Sequence, residues 1–507
     1  MKGGKVYLIG AGPGDPGLIT VKGLACLEHA DVVVYDCLIN DTLLDAVCPE
    51  AEKICVGKTA THHTREQDDI NQLLVEKAKE GKVVVRLKGG DPFVLGRGGE
   101  EAEALVQEHI PFEVVPGVSS AVAAPAYAGI PVTYRGLASS FAVITGHEDP
   151  SKGKSSIAWD KLATGVDTLV FLMGIGNLSQ IVKKLVENGG TTSTPVALIR
   201  EGTGPCQETL IGTLADIVAK AAEANMKPPA VIVVGEVVRL REKLRWFDKR
   251  PLFGKRILVT RARHQASKLS ALLTERGAQP VEMPVIEIRD VPETAELDQA
   301  ILHLGEYQWV IFTSINGVQA FFHRVDALNL DARVLRDVKI GAIGPATAES
   351  LTKHGLRPDF VPPSFTSESL ADGFEGQDVA NSRFLLVRAD IATRELAEGL
   401  SRRGAKVHEV TAYETSLSSD AISRGKEMLA AGEIDVVTFT SSSTVTNLLA
   451  LLDGGREITA KVACIGTKTA ATASEAGLRV DIVAKEHTIP GLVEAMEQYF
   501  AAGAKEG

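Results

Sequence analysis

The sequence predicts a modular α/β protein, with sheets layered against helices, and three observations predict it. Short Val- and Ile-rich runs alternate with helix-period stretches from Val6 to about Val238, the pattern expected of alternating strands and helices. The chain has 507 residues, more than one hydrophobic core organises, which implies roughly two to four domains. Its second half repeats itself, each unit reading strand, turn, helix.

Along the chain, the strand-like runs are VYLIG, DVVVYD, KVVVRLKGG, FEVVPG, FAVITG, TLVFLMG, PVALIR and AVIVVGEVV, with helical periodicity over Ile70 to Lys79 and Glu100 to Gln107. The pattern then breaks: a charged stretch carries Trp246, and Pro251 and Gly254 precede a new strand, which places the main boundary at 246–253. Beyond it, VIFTSINGVQAFF resembles VTFTSSSTVTNLL, KIGAIGPATAESL resembles KVACIGTKTAATA, and ILVTRARHQASKLSALLTERGA resembles FLLVRADIATRELAEGLSRRGA. Thr313 recurs as Thr440 and Gly277 as Gly404, both 127 residues on. Each half of this repeat predicts a small Rossmann-like sheet, so the second part should be two similar lobes facing a cleft.

Composition narrows the function. With 45% hydrophobic and 23% charged residues the chain reads as globular, and its apolar runs fall short of the roughly 20 residues that span a bilayer. MKGGKVYLIG enters a strand at once, without the layout of a secretory leader, so a cytoplasmic protein without membrane partners is expected. The six cysteines contain no CxxC pair, which predicts reduced thiols and neither redox nor structural-metal roles. A net charge of −11 argues against nucleic acid as a partner. An anionic ligand therefore requires positive charge concentrated locally.

The glycine loops carry the chemistry. GAGPGDPGLIT (Gly10 to Thr20) follows the first strand, but its GxGxG spacing is not the GxGxxG of a dinucleotide fingerprint, and Pro13 removes an N–H that an anion nest would use. On its own the loop reads equally as a plain turn or as a wall for an apolar or planar ligand. RLKGGDPFVLGRGGEE (Arg86 to Glu101) also ends a strand; its Gly89–Gly90 pair permits close backbone approach, and Asp91 offers a carboxylate to an ammonium or ribose hydroxyl. Two such loops on one sheet predict a pocket.

GAGPGDPGLIT, VVVYDCLIN, VGKTATHHTREQDDIN, RLKGGDPFVLGRGGEE, VPGVSSA and AYAGIPVTYRG, in that order and spacing, resemble uroporphyrinogen-III C-methyltransferase over about residues 4–245. The resemblance implies a two-domain tetrapyrrole methyltransferase fold, with subdomains of about 1–115 and 116–245, and S-adenosylmethionine bound folded between them. It implies Pro13, Gly89, Gly90, Asp91, Val94, Ser119, Ser120, Met173 and Gly202 as cofactor contacts, S-adenosylhomocysteine as product and a homodimer through this half. It further implies Asp36 as proton acceptor and Lys58 as proton donor; the bland alternative is a capping Asp36 and a solvated Lys58. Arg65 and Arg97, with His62 and His63 nearby, would meet the carboxylates of uroporphyrinogen III, whereas the histidine pair lacks metal-ligand spacing, so no metal is expected. Tyr134 and Leu95 depart from the family, which more often has histidine and an aromatic there.

Residues 254–507 resemble uroporphyrinogen-III synthase through FTSINGV, IGPATAESL, VTAYET, TFTSSSTV and IGTKTA. In that family the lobes exchange their first unit, which implies one lobe of 254–287 plus 416–503 and another of 288–415. The implied reaction closes hydroxymethylbilane to uroporphyrinogen III, losing water and inverting ring D through a spiro intermediate. Ser314, Asn316, Thr440, Ser441, Ser442 and Thr467 lie where strands pass into helices, suited to binding carboxylates or to capping. Tyr413 matches a tyrosine proposed to assist hydroxyl departure, or it simply packs. The combined expectation is a bifunctional enzyme leading to precorrin-2, toward sirohaem or cobalamin. The alternative is a methyltransferase of another corrin-pathway intermediate joined to a non-catalytic bilobed binding module.

Overall fold

The computed structural model describes residues 4–48, 50–57, 66–147, 156–260, 263–283, 287–290, 294–374, 379–389, 394–416, 419–452 and 458–503. The chain divides into two compact units, Met1–Lys255 with Leu273–Gln279 and Phe500–Gly507, and Arg256–Leu272 with Pro280–Tyr499.

The first unit opens with a sheet of β1 (Lys5–Gly10), β2 (Val32–Tyr35), β3 (Glu52–Cys55), β4 (Val83–Lys88) and β5 (Phe112–Val115). Their order is β3-β2-β4-β1-β5, and every pairing is parallel. Parallel strands covered on both faces need apolar residues at consecutive positions, which is why VVVY and KVVV read as unbroken runs. Val32 and Val34 pack with Leu74 and Leu105 of the helices α2 (Gln67–Lys79) and α3 (Gly98–Gln107), and Val33 packs on the opposite face with Leu27 and Leu43. A capping box between Glu66 and Asp69 starts α2.

From β5 the chain passes through Ser119 into the helix Ser120–Tyr127, whose alanines Ala121 and Ala124 lie in the core beneath a second sheet. That sheet holds β6 (Phe141–Thr145), β7 (Thr168–Leu172), β8 (Pro195–Arg200), β9 (Glu208–Thr213) and β10 (Ala230–Val234), ordered β6-β7-β10-β8-β9. Only β6 and β7 run parallel; β7–β10, β10–β8 and β8–β9 are antiparallel. β9 is absent from the expected strands because ETLIGT is weakly apolar; it is an edge strand with a single buried residue, Gly212.

The second unit holds two further sheets. One contains β11 (Arg256–Val259), β12 (Gln279–Glu282), β18 (Val436–Phe439), β19 (Lys461–Cys464) and β20 (Ile482–Val483), ordered β12-β11-β18-β19-β20. The other contains β13 (Glu287–Asp290), β14 (Trp309–Phe312), β15 (Lys339–Ala342), β16 (Arg383–Ala389) and β17 (Lys406–Ser416), ordered β13-β17-β16-β14-β15. The internal repeat appears directly in these orders, since β12-β11-β18-β19 has the arrangement of β17-β16-β14-β15. Each sheet therefore combines the first unit of one repeat with the second and third units of the other. No helix among the described residues is long and apolar enough to cross a membrane.

Candidate active site

In the first sheet β1 and β4 are neighbours, yet the chain leaves β1 toward β2 and leaves β4 toward β5. Adjacent strands whose connections diverge leave a crevice beyond their carboxyl ends, the usual ligand position in open α/β sheets. Both glycine loops start there and are joined to each other. Gly12 N–H donates to Gly90 C=O at 3.2 Å, and Gly90 N–H to Gly12 C=O at 2.8 Å. Gly90 has φ of +70°, a conformation that favours glycine. At Gly117, beyond β5, a Cβ would stand 2.2 Å from Gly90 O and 2.6 Å from Gly10 Cα, so three strand ends touch through bare backbone. Gly117→Ala is therefore expected to force these loops apart, so that S-adenosylmethionine, expected to raise the melting temperature of the parent protein, no longer raises that of the variant.

Asp91 holds the same junction. Its Oδ1 accepts from Phe93 N–H at 2.8 Å and Val94 N–H at 3.1 Å, while Oδ2 accepts from Gly117 N–H at 3.0 Å. The carboxylate thus shapes the loop, with Oδ2 retaining further acceptor capacity. The backbone of Ser119 and Ser120 lies within 4 Å of a Cβ built on Gly90. Gly89, Gly90, Asp91, Ser119 and Ser120 are accordingly brought together.

The second sheet reaches the first loop. Asp15 N–H donates to Thr203 Oγ1 at 3.0 Å, and Tyr127 Oη–H donates to Asp15 Oδ2 at 2.7 Å. Burial, reinforced by Asp15, pushes the Tyr127 hydroxyl well above the usual phenol range. Gly202 lies against the helix Ser120–Tyr127, where a Cβ would stand 2.5 Å from Ala124 Cβ, and its carbonyl is close to Gly14. Pro13 sits between these anchored glycines. Met173, exposed and with φ of +57°, follows β7 and makes no hydrogen bond to the glycine loops among the described residues. A Cβ on Gly89 would meet only Leu38 Cβ, at 3.8 Å, and Leu38 and Val94 are both exposed. Open backbone bordered by exposed apolar side chains fits a ligand with a flat, partly apolar body.

Beneath this floor lies a charged quartet beyond the reach of spacing arguments. Glu101, fully buried on α3, accepts through Oε1 from Arg86 Nε at 3.0 Å and Lys88 Nζ at 2.8 Å. Arg86 then donates through a terminal nitrogen to Asp36 Oδ1 at 2.5 Å. Asp36 is partly exposed at the end of β2, while Arg86 and Lys88 are buried. Burial, and then the neighbouring Arg86, pushes the Lys88 amine below its ordinary value, with Glu101 partly offsetting them. Asp36 is thus a carboxylate held at the same end of the sheet as the glycine loops, bonded among the described residues to Arg86 rather than to a helix end. The available sequence signal is a pair of cations inside the apolar run VVVRLK.

Lys58 and Arg65, with His62 and His63, lie outside the described residues. Arg97 opens α3 in a left-handed conformation, forming two bonds to Glu100 at 2.8 and 2.6 Å with both side chains exposed. No group of three potential metal ligands occurs among the described residues.

In the second unit, Ser314 caps the helix Ile315–Ala327 by accepting from Gly317 N–H at 2.9 Å, and its hydroxyl shares a 3.0 Å hydrogen bond with Tyr413 Oη. Asn316 Oδ1 is buried without a partner among the described residues. The repeat places Ser441 correspondingly, capping the helix Ser442–Leu451 through a capping box with Thr444. Ser442 Oγ accepts from Thr472 Oγ1 at 2.8 Å, Thr440 lies between β18 and that helix, and Thr467 is exposed at the start of the helix Thr467–Glu475. The hydroxyl residues thus form two groups, each at the strand ends of its own sheet.

Two families match the chain: Tetrapyrrole (Corrin/Porphyrin) Methylases over residues 5–218 and Uroporphyrinogen-III synthase HemD over residues 267–494. A Ruminiclostridium josui protein named Porphyrin biosynthesis protein HemD is 42% identical over 496 residues, covering 98% of each chain. A Methanosarcina barkeri protein named S-adenosyl-L-methionine-dependent uroporphyrinogen III methyltransferase is 54% identical over 241 residues, covering 48% of this chain and 94% of its own. A solved Thermus thermophilus uroporphyrin-III C-methyl transferase, complexed with S-adenyl homocysteine, is 39% identical, covers 46% of this chain and 99% of its own, and has a TM-score of 0.41. Given a relative matched along nearly the whole of both sequences, the chain belongs to the porphyrin-biosynthesis family that joins a tetrapyrrole methylase to a uroporphyrinogen-III synthase.

Proposed function

We propose that the protein closes hydroxymethylbilane to uroporphyrinogen III with inversion of ring D, then methylates that product twice with S-adenosylmethionine to precorrin-2. The observation that carries the methylation reading is the convergence of Gly12, Gly90 and Gly117 at one switch point, with Asp36 held by Arg86 at the same end of the sheet.

S-adenosylmethionine, when bound, supplies an electrophilic methyl group on a sulfonium. Gly89, Gly90, Asp91, Val94, Ser119, Ser120, Pro13, Met173 and Gly202 would hold it, leaving S-adenosylhomocysteine as product. Asp36 accepts the proton released when the macrocycle's double bonds shift, and Arg86, bonded to Oδ1, holds the carboxylate so that Oδ2 takes it. Lys58 donates a proton, and Arg65 and Arg97 meet substrate carboxylates through charge-assisted hydrogen bonds. The methyltransferase domain is assigned to residues 1–245, with its homodimer contact in this half, and the synthase to 254–507.

In the synthase, positioning dominates, because an activated pyrrole expels hydroxide once the linear ligand is bent correctly. Ser314, Asn316, Thr440, Ser441, Ser442 and Thr467 hold carboxylates at the helix starts. Tyr413 assists hydroxyl departure, with its phenol oriented by Ser314. Tyr413→Phe is therefore expected to lower the synthase kcat by about a hundredfold while changing stability by only about 1 kcal/mol.

The test of the whole reading is a two-step assay from hydroxymethylbilane with methyl-labelled S-adenosylmethionine. Two labels per type III macrocycle are expected. Type I product alone would reject the synthase, and an unlabelled type III product would reject the methyltransferase.

A further inference from the structure

The cysteine spacing predicts inert thiols, but the fold brings two of the six together. Cys37 follows Asp36 just beyond β2, and Cys55 ends β3; the two strands pair in parallel with Tyr35 opposite Cys55. Their sulfurs lie 2.8 Å apart, and both residues are exposed. Gly57 closes the corner, since a Cβ there would stand 2.6 Å from Cys37 N and 2.8 Å from its Sγ. A disulfide has a sulfur separation of about 2.0 Å, so closure requires less than about 1 Å of movement. The other thiols are placed differently: Cys48 donates to Glu50 at 2.7 Å, Cys26 and Cys206 are half-buried, and Cys464 is buried.

We propose that Cys37 and Cys55 form a reversible disulfide, a modification site for low-molecular-weight disulfides at the edge of the methyltransferase pocket. One protein thiolate attacks the reagent disulfide, forming a mixed disulfide and expelling a reagent thiolate. The second protein thiolate then attacks the attached protein sulfur and expels the other reagent thiolate. Overall the protein loses two protons and two electrons, and the reagent disulfide is reduced to two thiols. Local desolvation of its sulfur and the hydrogen bond to Cys55 push the Cys37 thiol up to about 11, although the residue as a whole is exposed. Such a thiol is scarcely ionised at neutral pH, so closure is slow at pH 7 and accelerates toward pH 9.

The new bond tethers the residue beside Asp36 to the end of β3. On the proposed reading of Asp36 as proton acceptor, the tether displaces that carboxylate and slows methyl transfer. The test treats the full-length protein with oxidised glutathione at pH 8.5, then measures intact mass, peptide cross-links and uroporphyrinogen methylation. Expected are the loss of two hydrogens, a Cys37–Cys55 cross-link, and a roughly ten- to hundredfold fall in methylation, the scale for displacing a catalytic group by about 1 Å. Dithiothreitol should restore the rate, and Cys37→Ser and Cys55→Ser should each retain activity through the treatment.

Glutathione adducts without a cross-link, cross-links to Cys26 or Cys48, or no reaction would overturn the site. A cross-link with unchanged methylation would overturn its effect on turnover. A reduced protein that never methylates uroporphyrinogen signals failure of the proposed activity, while the mass measurement still decides the disulfide.

Discussion

Asp36→Asn is expected to lower the kcat for uroporphyrinogen methylation by about 10²- to 10⁴-fold, the range for removing a general base. The substitution is nearly isosteric, and its amide oxygen can still accept the bond from Arg86 that Asp36 Oδ1 accepts at 2.5 Å. What disappears is the ability to take a proton. Affinity for S-adenosylmethionine should change little, because the glycine junction is built from Gly12, Gly90 and Gly117 without this side chain. The synthase on the same polypeptide is an internal control for folding. Methylation at the parent rate would sink Asp36 as the proton acceptor, whereas parallel loss of both activities would point to damage to the fold.

Glu101→Ala is expected to have the largest effect on stability. Its carboxylate is fully buried and faces two buried cations, Arg86 at 3.0 Å and Lys88 at 2.8 Å; among the described residues only Gln67, at 3.4 Å, contacts it as a neutral donor. Removing the central anion of such a cluster leaves uncompensated charge and costs about 3–5 kcal/mol. In a domain of this size that corresponds to a fall on the order of 10 °C in the melting temperature of the methyltransferase transition.

The loss should also depend on pH. Lys88 already titrates below its ordinary 10.5, because of burial and Arg86, and without Glu101 it titrates lower still. The unfolded chain then binds more protons than the folded one between the lowered value and 10.5, so stability rises with pH across that window. The deficit should accordingly be largest near pH 6 and smaller near pH 10, as comparative melts of parent and variant would record. A deficit that grew with pH would contradict the assignment of Lys88 as the strained cation. Methylation by the folded fraction should fall as well, because Arg86 loses the partner that fixes its hold on Asp36.

The contrast between legible and illegible features follows from range in the chain. VVVY and KVVV declare themselves as strands because each buries consecutive residues on two faces, a local signal. ETLIGT escapes because an edge strand buries little. The glycine loops are visible as composition, but the reason for the glycines is contact between strand ends more than a hundred residues apart, as between Gly10 and Gly117. Asp91 reads from sequence as a ligand carboxylate, yet its oxygens also tie together Phe93, Val94 and Gly117. Ser314 and Tyr413 are each visible in a motif, and only the adjacency of β17, β16 and β14 brings their hydroxyls together.

By itself, then, the sequence determined the α/β class, the duplicated second half and the glycine loops at the strand ends, because periodicity and turn residues are carried by neighbouring side chains and the repeat by the matching of short motifs. The tertiary structure alone decided that Arg86 links Glu101 to Asp36 and that Cys37 meets Cys55. Those partners are separated along the chain and become neighbours only through the order β3-β2-β4-β1-β5, which no local pattern specifies.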